Sequence, residues 1–246
     1  MSGYNLFSEY YDILTEDVDY KGRTEYLCGL FKRFGAEPTL LLDLACGTGG
    51  FTFEFQKQGI DVIGVDPSEE MLAIAREKAA QNGLSPLFLC QAGQTLDLYG
   101  TVDGAVCCLD SLNHIVDKAE LKETLHRVSL FLEKDKLFIF DVNTVYKHKE
   151  ILADNSFVRE TEDMFLVWQN NTDEDGLTDI YLDFFIKDGD GYIRESEDFS
   201  ERAYSDDELR KMLKNAGLEV LAVYGDMTDC SPTDDSQRNI YVTRKV

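Results

Sequence analysis

The sequence predicts an α/β fold in which a mostly parallel sheet carries helices on both faces and is interrupted by an antiparallel β insertion. Two observations predict the parallel part. Apolar β-type runs alternate with segments whose apolar residues recur at helical spacing, and a glycine-rich turn follows the first such run. A third observation predicts the insertion, because after Asn143 the chain changes to alternating, aromatic-rich runs separated by acidic glycine turns.

The length of 246 residues is sufficient for one sizeable α/β domain with an elaboration, and 43% of the residues are hydrophobic, as expected of a folded chain. We expect residues 1–144 and 205–246 to form the α/β domain. Residues 145–204 are then the antiparallel β insertion, which we expect to cap the site.

The first part of the chain alternates strand and helix in a regular order. Strands are expected at residues 39–44, 60–65, 86–90, 102–109 and 137–142. Helices are expected at residues 20–34, 51–58, 69–82 and 119–132. Since crossovers between parallel strands are right-handed, the carboxyl ends of these strands meet at one edge of the sheet, where open α/β sheets bind ligands.

The later part begins with an antiparallel meander and returns to helix and strand. The meander strands are expected at residues 157–169, 178–187 and 192–204. Ser205 and Glu208 have the spacing of a capping box, which predicts a helix that ends before Gly217. Residues 218–224 and 239–244 are two final strands that can pair as a hairpin.

The charge and the ends of the chain exclude several classes of partner. A net charge of -23 opposes binding to nucleic acid or to an anionic membrane surface. The N-terminal sequence has no signal-peptide pattern, and no apolar run reaches the ~20 residues of a membrane span. The six cysteines show no CxxC spacing. We therefore expect a cytoplasmic protein with neither nucleic acid nor membrane as its partner.

The stretch LLDLACGTGG, residues 41–50, predicts a ligand site where a strand meets a helix N-terminus. Asp43 precedes the two glycines Gly47 and Gly49, and a second acid, Asp66, ends the next strand, from which a carboxylate reaches ribose hydroxyls. The third glycine of a pyrophosphate-binding GxGxxG motif is replaced by Thr52. The turn therefore favours a ligand without a phosphate group.

Three motifs resemble those of the class I S-adenosylmethionine-dependent methyltransferases that act on small molecules. They are LLDLACGTGG, VIGVDPSEEML and CCLDSLNHI, and the resemblance covers nearly the whole chain. It implies a Rossmann-like, seven-stranded sheet that the terminal hairpin completes, with the strand next to the edge running antiparallel. It also implies S-adenosyl-L-methionine as the cofactor and a small-molecule methyl acceptor.

The resemblance further implies which residues contact the cofactor. The loop over residues 43–49 holds the methionine part, Asp66 holds the ribose, and Met71 packs near the adenine. The expected cofactor-binding residues are Tyr11, Asp43, Ala45, Cys46, Gly47, Gly49, Asp66, Pro67, Met71, Gln91, Ala92, Leu109 and Asp110. One departure concerns Ala92, because the family often places an acid there to accept the adenine amino group. Gln91 or a backbone carbonyl is the alternative acceptor.

Asp110 and His114 follow the fourth strand and are the candidate catalytic residues, as groups that orient or deprotonate the acceptor. Supporting the cofactor and capping a helix is the alternative role for them. A base is not obligatory, because a methyl group on a sulfonium is already activated and positioning supplies much of the rate. We expect no metal site: the DGDG turn at residues 188–191 lacks the first calcium ligand, and strands flank it.

The acceptor itself and two rival functions stay open at this stage. The acidic C-terminal part suits a neutral or cationic acceptor, although an acidic surface also serves solubility. The insertion can cap the site or form a homodimer through an exposed edge strand. The first rival is a nicotinamide-dependent oxidoreductase, and the second is a non-catalytic cofactor-binding protein of the same fold.

Overall fold

The computed structural model describes residues 5–246, with the backbone alone for residues 5–7 and 9. The helices are α1 (Asn5–Leu14), α2 (Tyr20–Arg33), α3 (Gly50–Lys57), α4 (Glu69–Gln81), α5 (Lys118–Phe131) and α6 (Asp206–Asn215). The strands of the larger sheet are β1 (Leu40–Leu44), β2 (Asp61–Asp66), β3 (Leu87–Cys90), β4 (Val102–Cys107), β5 (Leu132–Asn143), β10 (Leu218–Gly225) and β11 (Arg238–Lys245).

The larger sheet has seven strands in the order β10-β11-β5-β4-β1-β2-β3. Strands β1 to β5 run parallel, whereas β11 lies antiparallel between β5 and β10. The predicted Rossmann-like fold, with its antiparallel strand next to the edge, is confirmed. The parallel strands all end at one edge, so the segments that follow β1, β2, β3 and β4 lie together there.

Both faces of this sheet are buried, and β5 shows how its sequence achieves this. Phe138 and Phe140 belong to the apolar cluster on the side of α5 and α6. Leu137 and Ile139, one residue out of phase, belong to the cluster on the side of α2 and α3. Because successive strand side chains point to opposite faces, an uninterrupted apolar run serves both clusters.

A second sheet is antiparallel and has the strand order β6-β7-β8-β9. Its strands are β6 (Ser156–Glu160), β7 (Met164–Thr172), β8 (Leu177–Asp188) and β9 (Gly191–Arg202). Ile180, Leu182 and Phe184 lie two residues apart on β8 and form the centre of its own apolar cluster, against which Tyr10 and Leu14 of α1 pack. Helix α1 is therefore attached to the second sheet.

Several boundaries differ from the sequence prediction. The run over residues 157–169 is two strands, because the Thr161 N–H donates to the Met164 carbonyl at 2.8 Å and closes a hairpin turn. The fifth strand begins at Leu132, before the apolar run. Helix α1 and the π-helix Lys147–Leu152 were not predicted. The capping box of α6 is present, with Ser205 and Glu208 each accepting the other's backbone N–H.

Within residues 5–246, no helix has both the length and the apolar character needed to cross a bilayer.

Candidate active site

A cavity of about 870 Å³ lies between the carboxyl edge of the larger sheet and the second sheet. Its volume is in the upper part of the range of roughly 300–1,000 Å³ typical of ligand sites. Segments that follow β1, β2, β3 and β4 line one end. We call the other end the second-sheet chamber, and its wall comprises Phe157, Leu166, Trp168, Leu182, Phe199 and Glu201.

The loop after β1 brings its backbone to the cavity wall in an unusual conformation. Ala45, Gly47 and Gly49 all have positive φ, at 58°, 53° and 87°. The Gly47 N–H donates to Asp66 Oδ2 at 2.9 Å, and the Ser68 N–H donates to Asp66 Oδ1 at 2.9 Å. Asp66 therefore fixes the loop after β1 to the start of α4, and burial raises the pKa of its carboxyl.

Asp43 lies beneath this loop and does not line the cavity. Its side chain is buried, and Thr52 Oγ1 donates to Asp43 Oδ2 at 2.5 Å. Burial raises the pKa of Asp43 to about 7. The structure therefore places Asp43 as a support of the loop. Cys46 and Gly49 are likewise outside the lining, and a Cβ on Gly49 would lie 2.6 Å from the Phe53 ring.

Helix α1 covers the same loop from the other side. Thr48 Oγ1 donates to Asp12 Oδ1 at 2.6 Å, and Lys78 Nζ of α4 donates to Asp12 Oδ2 at 2.9 Å. Tyr11 lines the cavity, and a Cβ on Gly47 would lie 3.8 Å from its ring. The aromatic N-terminal segment therefore lies above the glycines, with Tyr11 facing Gly47.

The remaining predicted cofactor residues lie along the same end of the cavity. Pro67, Met71, Gln91 and Ala92 all line it. The Gln91 side-chain amide is bonded to the backbone of Asp97, with Oε1 accepting from the Asp97 N–H at 2.9 Å. Its oxygen therefore already has one donor, which constrains the way in which Gln91 can replace the missing acid at Ala92.

Leu109 and Asp110, directly after β4, have φ values of 54° and 52°, a left-handed conformation that non-glycine residues rarely adopt. Asp141 of β5 holds them there, because its carboxylate accepts from the Leu109 N–H at 2.9 Å and from the Asp110 N–H at 2.7 Å. Arg238 of β11 forms ion pairs with both Asp110 and Asp141. The backbone at the centre of the cavity is thus fixed by side chains from two neighbouring strands.

The carboxylate of Asp110 has further partners. Asn143 Nδ2 donates to Asp110 Oδ2 at 2.7 Å, and Lys147 Nζ donates to Asn143 Oδ1 at 2.9 Å. Burial opposes ionisation of Asp110, but the charges of Arg238 and Lys147 outweigh it and lower the pKa of Asp110. Burial lowers the pKa of Lys147. Asp110 is therefore an anion held by cations.

His114 lines the cavity, and its ring stacks on Phe199 with centroids 5.2 Å apart. His114 Nε2 lies 3.4 Å from Glu201 Oε1, and His148 Nε2 lies 3.7 Å from Glu201 Oε2. Burial raises the pKa of Glu201 and lowers the pKa of His148 to about 4. A buried carboxylate thus faces two imidazoles inside the second-sheet chamber.

Sequence analysis missed Glu201, His148, Lys147 and Arg238. Glu201 did leave a signal, since it lies two residues after Phe199 and therefore on the same face of β9 as that aromatic residue. An acidic residue that falls on the buried face of an alternating strand indicates a carboxylate in the protein interior. Arg238 left no comparable signal, because its two partners come from segments far away in sequence.

Asp110, His114 and Glu201 also form a potential metal-binding group. Their donor atoms all lie within 4.8 Å of one another, and among the described residues no other group of three or more His, Cys, Asp or Glu side chains has this arrangement. Carboxylate and imidazole ligands suit several divalent ions. However, Arg238 and Asn143 already engage both oxygens of Asp110.

The chain is similar in sequence to a methyltransferase family and to individual methyltransferases. Residues 41–135 match the family described as "Methyltransferase domain". The "Putative methyltransferase YqeM" of Bacillus subtilis (strain 168) is 33% identical over 245 residues, covering 98% of this chain and 97% of YqeM. The Halorhodospira halochloris glycine/sarcosine N-methyltransferase is 24% identical, over 95% of this chain and 85% of the relative.

A solved structure is similar over the same extent. It is the crystal structure of a S-adenosylmethionine-dependent methyltransferase from Clostridium acetobutylicum ATCC 824, with 33% sequence identity. The alignment covers 98% of each chain, with a TM-score of 0.89.

Proposed function

This chain belongs to the S-adenosylmethionine-dependent methyltransferases of class I, and we propose that its methyl acceptor is a small molecule bound in the second-sheet chamber. The similar proteins favour a methyltransferase over the nicotinamide-dependent oxidoreductase and over the non-catalytic cofactor-binding protein, because the two at 33% identity are described as a putative methyltransferase and as a S-adenosylmethionine-dependent methyltransferase.

The residues present fit S-adenosyl-L-methionine. The absence of a side chain at Gly47 leaves the backbone open to the cavity, and Asp66, with one oxygen bonded to each of two backbone N–H groups, keeps lone pairs free for ribose hydroxyls. We propose that Gly47, Asp66 and Met71 hold this molecule at their end of the cavity. When bound, it supplies an activated methyl group on a positively charged sulfur.

The observation that carries the proposal is the continuity of the cavity. Residues expected to bind the cofactor and residues of the second sheet line one space, and Asp110 and His114 lie between its two ends. An acceptor in the second-sheet chamber therefore faces the methyl donor directly. Enclosure by α1 and the second sheet favours a small acceptor over a polymer. The net charge of -23 also disfavours nucleic acid as the acceptor.

The chain's own residues orient the two ligands and exclude water. Asp141 and Arg238 fix the turn at Leu109 and Asp110, so the wall between the ends keeps its shape without either ligand. Preorganised positioning of this kind supplies much of the rate in a displacement reaction. The glycine/sarcosine N-methyltransferase relative, whose named substrates are small, supports the proposal.

Transfer of a labelled methyl group tests the proposal. The protein is incubated with [methyl-¹⁴C]S-adenosylmethionine and, separately, with the small-molecule, RNA and protein fractions of a bacterial extract. We expect label in the small-molecule fraction. Label in RNA or protein alone, or in none of the fractions, would contradict the proposed acceptor class.

The insertion has a corresponding role in this account. We propose that residues 145–204 form a cap over the α/β domain of residues 1–144 and 205–246 and determine which acceptor binds. A cytoplasmic location and a homodimer stay predictions from the sequence.

A further inference from the structure

Glu201 places a carboxylate in the second-sheet chamber, and within the described part of the chain no hydrogen bond is formed to it. Its side chain is 7% exposed. The two basic side chains nearest to it, His114 at 3.4 Å and His148 at 3.7 Å, lie beyond the roughly 2.7–3.2 Å of an N–H···O hydrogen bond. A buried carboxylate lacking a donor is unfavourable, so a ligand that donates hydrogen bonds at this point would stabilise it.

His148 lies behind this carboxylate, with its Nε2 3.7 Å from Glu201 Oε2. The His148 ring is fully buried, and its Nδ1 lies 2.8 Å from Thr178 Oγ1. Its Nε2 has no hydrogen-bond partner within the described residues and lies on the side of Glu201. The chamber therefore presents Glu201 from a rigid support, with His114 beside it at the cavity surface.

The chemistry around Glu201 selects the kind of group that can bind. Asp110 is a second anion lining the same cavity, so another carboxylate or a phosphate would be repelled. A hydroxyl group offers one donor, whereas an amino group offers several and carries a positive charge when protonated. An ammonium group therefore matches the site both in its several hydrogen-bond donors and in its positive charge.

A divalent metal ion is the competing ligand, and the surroundings disfavour it. Asp110 would be one of its three protein ligands, yet that carboxylate is already paired with the Arg238 cation, which would lie next to the metal ion. Arg238 and Lys147 also line the cavity, and they would repel a doubly charged ion bound to Asp110 more strongly than a singly charged ammonium group bound to Glu201.

We propose that Glu201, with His114, receives an amino group of the acceptor, so that the methyl group is transferred to nitrogen. This inference rests on the proposed function, since it names the substrate class of the same site. The amine's remaining surface would be largely apolar, because Phe157, Trp168 and Leu182 line the same chamber further along the second sheet.

The reaction balances with the groups present. The bound ammonium gives one proton to the Glu201 carboxylate and becomes a neutral amine with a free lone pair. That lone pair forms the nitrogen–carbon bond as the carbon–sulfur bond breaks and sulfur keeps the bonding electrons. The products are a neutral thioether and a protonated N-methyl amine, and Glu201 then releases its proton to solvent.

Imidazole NMR signals provide a direct test, because the chain has three histidines and His126 on α5 does not line the cavity. The protein saturated with S-adenosylhomocysteine is titrated with benzylamine, benzyl alcohol or benzoate in the millimolar range. We expect benzylamine to shift the signals of His114 and His148 but not of His126. Benzyl alcohol is expected to bind at least roughly tenfold more weakly, as for a lost charged hydrogen bond.

Two variants separate a role of Glu201 from a change in folding. Glu201→Gln keeps the shape but should remove the preference for benzylamine, whereas Glu197→Gln, on the same face of β9 and outside the cavity lining, should keep it. Equal affinity for amine and alcohol, no shift with benzylamine, or an unchanged preference in Glu201→Gln would each overturn the inference. A one-to-one Zn²⁺ complex on His114 and Glu201 that benzylamine cannot displace would overturn it in favour of a metal.

The labelled-methyl assay shows whether the inference or the proposed function has failed. Label on nitrogen of a small molecule supports both. Label on oxygen, sulfur or carbon of a small molecule overturns the amine inference and leaves the proposed function intact. Label in macromolecules alone overturns the proposed function.

Discussion

Two buried aspartates at the carboxyl edge carry out different tasks in this protein. Asp66 contacts both the loop backbone and the cavity, whereas Asp43 contacts Thr52 beneath the loop. Burial raises the pKa of each carboxyl. The two residues are therefore expected to respond differently to substitution, Asp66 through ligand binding and Asp43 through stability.

Asp43→Asn should change how stability depends on pH. The pKa of Asp43 is about 7, against an ordinary value of 3.8, so between these values the folded chain binds more protons than the unfolded chain. The wild-type protein therefore loses stability relative to the variant as the pH rises from about 4 to about 7, by up to about 4 kcal/mol. Urea unfolding across this range measures the difference. Asp61→Asn, at the exposed start of β2, is the control, and parallel curves for wild type and Asp43→Asn would refute the assignment.

Asp66→Ala should weaken binding of S-adenosylhomocysteine by about 1.5–3 kcal/mol, the range for hydrogen bonds to a charged group. The variant loses the ribose acceptor and also frees the Gly47 N–H. Calorimetric titration of folded protein gives the dissociation constants. Asp61→Ala on the same strand should bind normally, and unchanged affinity in Asp66→Ala would place the ribose elsewhere.

At the scale of the elements, the second sheet and α1 form one unit on the cavity. Leu14 and Tyr10 of α1 pack on the cluster of Ile180 and Phe184, and Tyr11 faces the glycine loop. The second sheet thus supports α1 above the glycine loop at one end of the cavity. Its own side chains line the second-sheet chamber at the other end.

Trp168→Ala should separate acceptor binding from cofactor binding. Trp168 lines the second-sheet chamber and packs edge-on against Phe157 with centroids 5.7 Å apart. Its loss removes contact area for the acceptor, so we expect KM for the acceptor to rise roughly tenfold, in line with a loss of about 1–3 kcal/mol for one apolar pocket group. The affinity for S-adenosylhomocysteine should stay within about twofold. A large loss of cofactor affinity with unchanged KM would contradict the division of the cavity.

The elements with strong local signals were predictable from sequence. The glycine turn after β1, the acid at the end of β2 and the capping box of α6 each depend on residues adjacent in the chain. The turn at Thr161 and the π-helix Lys147–Leu152 were missed, since alternating aromatic residues obscured the first and no sequence pattern marks the second. Helix α1 was missed because its aromatic residues pack on the second sheet, which is distant in sequence.

The candidate site was predictable only where one segment supplies it. Gly47, Asp66 and Met71 follow from motifs, and all three line the cavity. Asp43 fits the motif by its spacing, but its side chain packs on the face of the sheet against Thr52 of α3 and does not line the cavity. The pairing of Arg238 with Asp110 and of Glu201 with His114 requires the tertiary fold, since each pair joins segments more than 80 residues apart.

At the scale of the whole molecule, we propose that the cofactor and the acceptor bind in one cavity between the two sheets. The parallel sheet provides a binding edge common to many α/β proteins, and side chains of the second sheet line the other end of the cavity. The proposed function requires S-adenosylhomocysteine to bind at the end of the cavity near the glycine loop and to leave the second-sheet chamber empty.

A crystal structure of the complex with S-adenosylhomocysteine tests this most directly. We expect the ribose at Asp66, the adenine near Met71, and the sulfur directed towards Asp110 and His114, with the second-sheet chamber beside Glu201 left free for the acceptor. S-adenosylhomocysteine filling that chamber, or bound away from the glycine loop, would contradict the account.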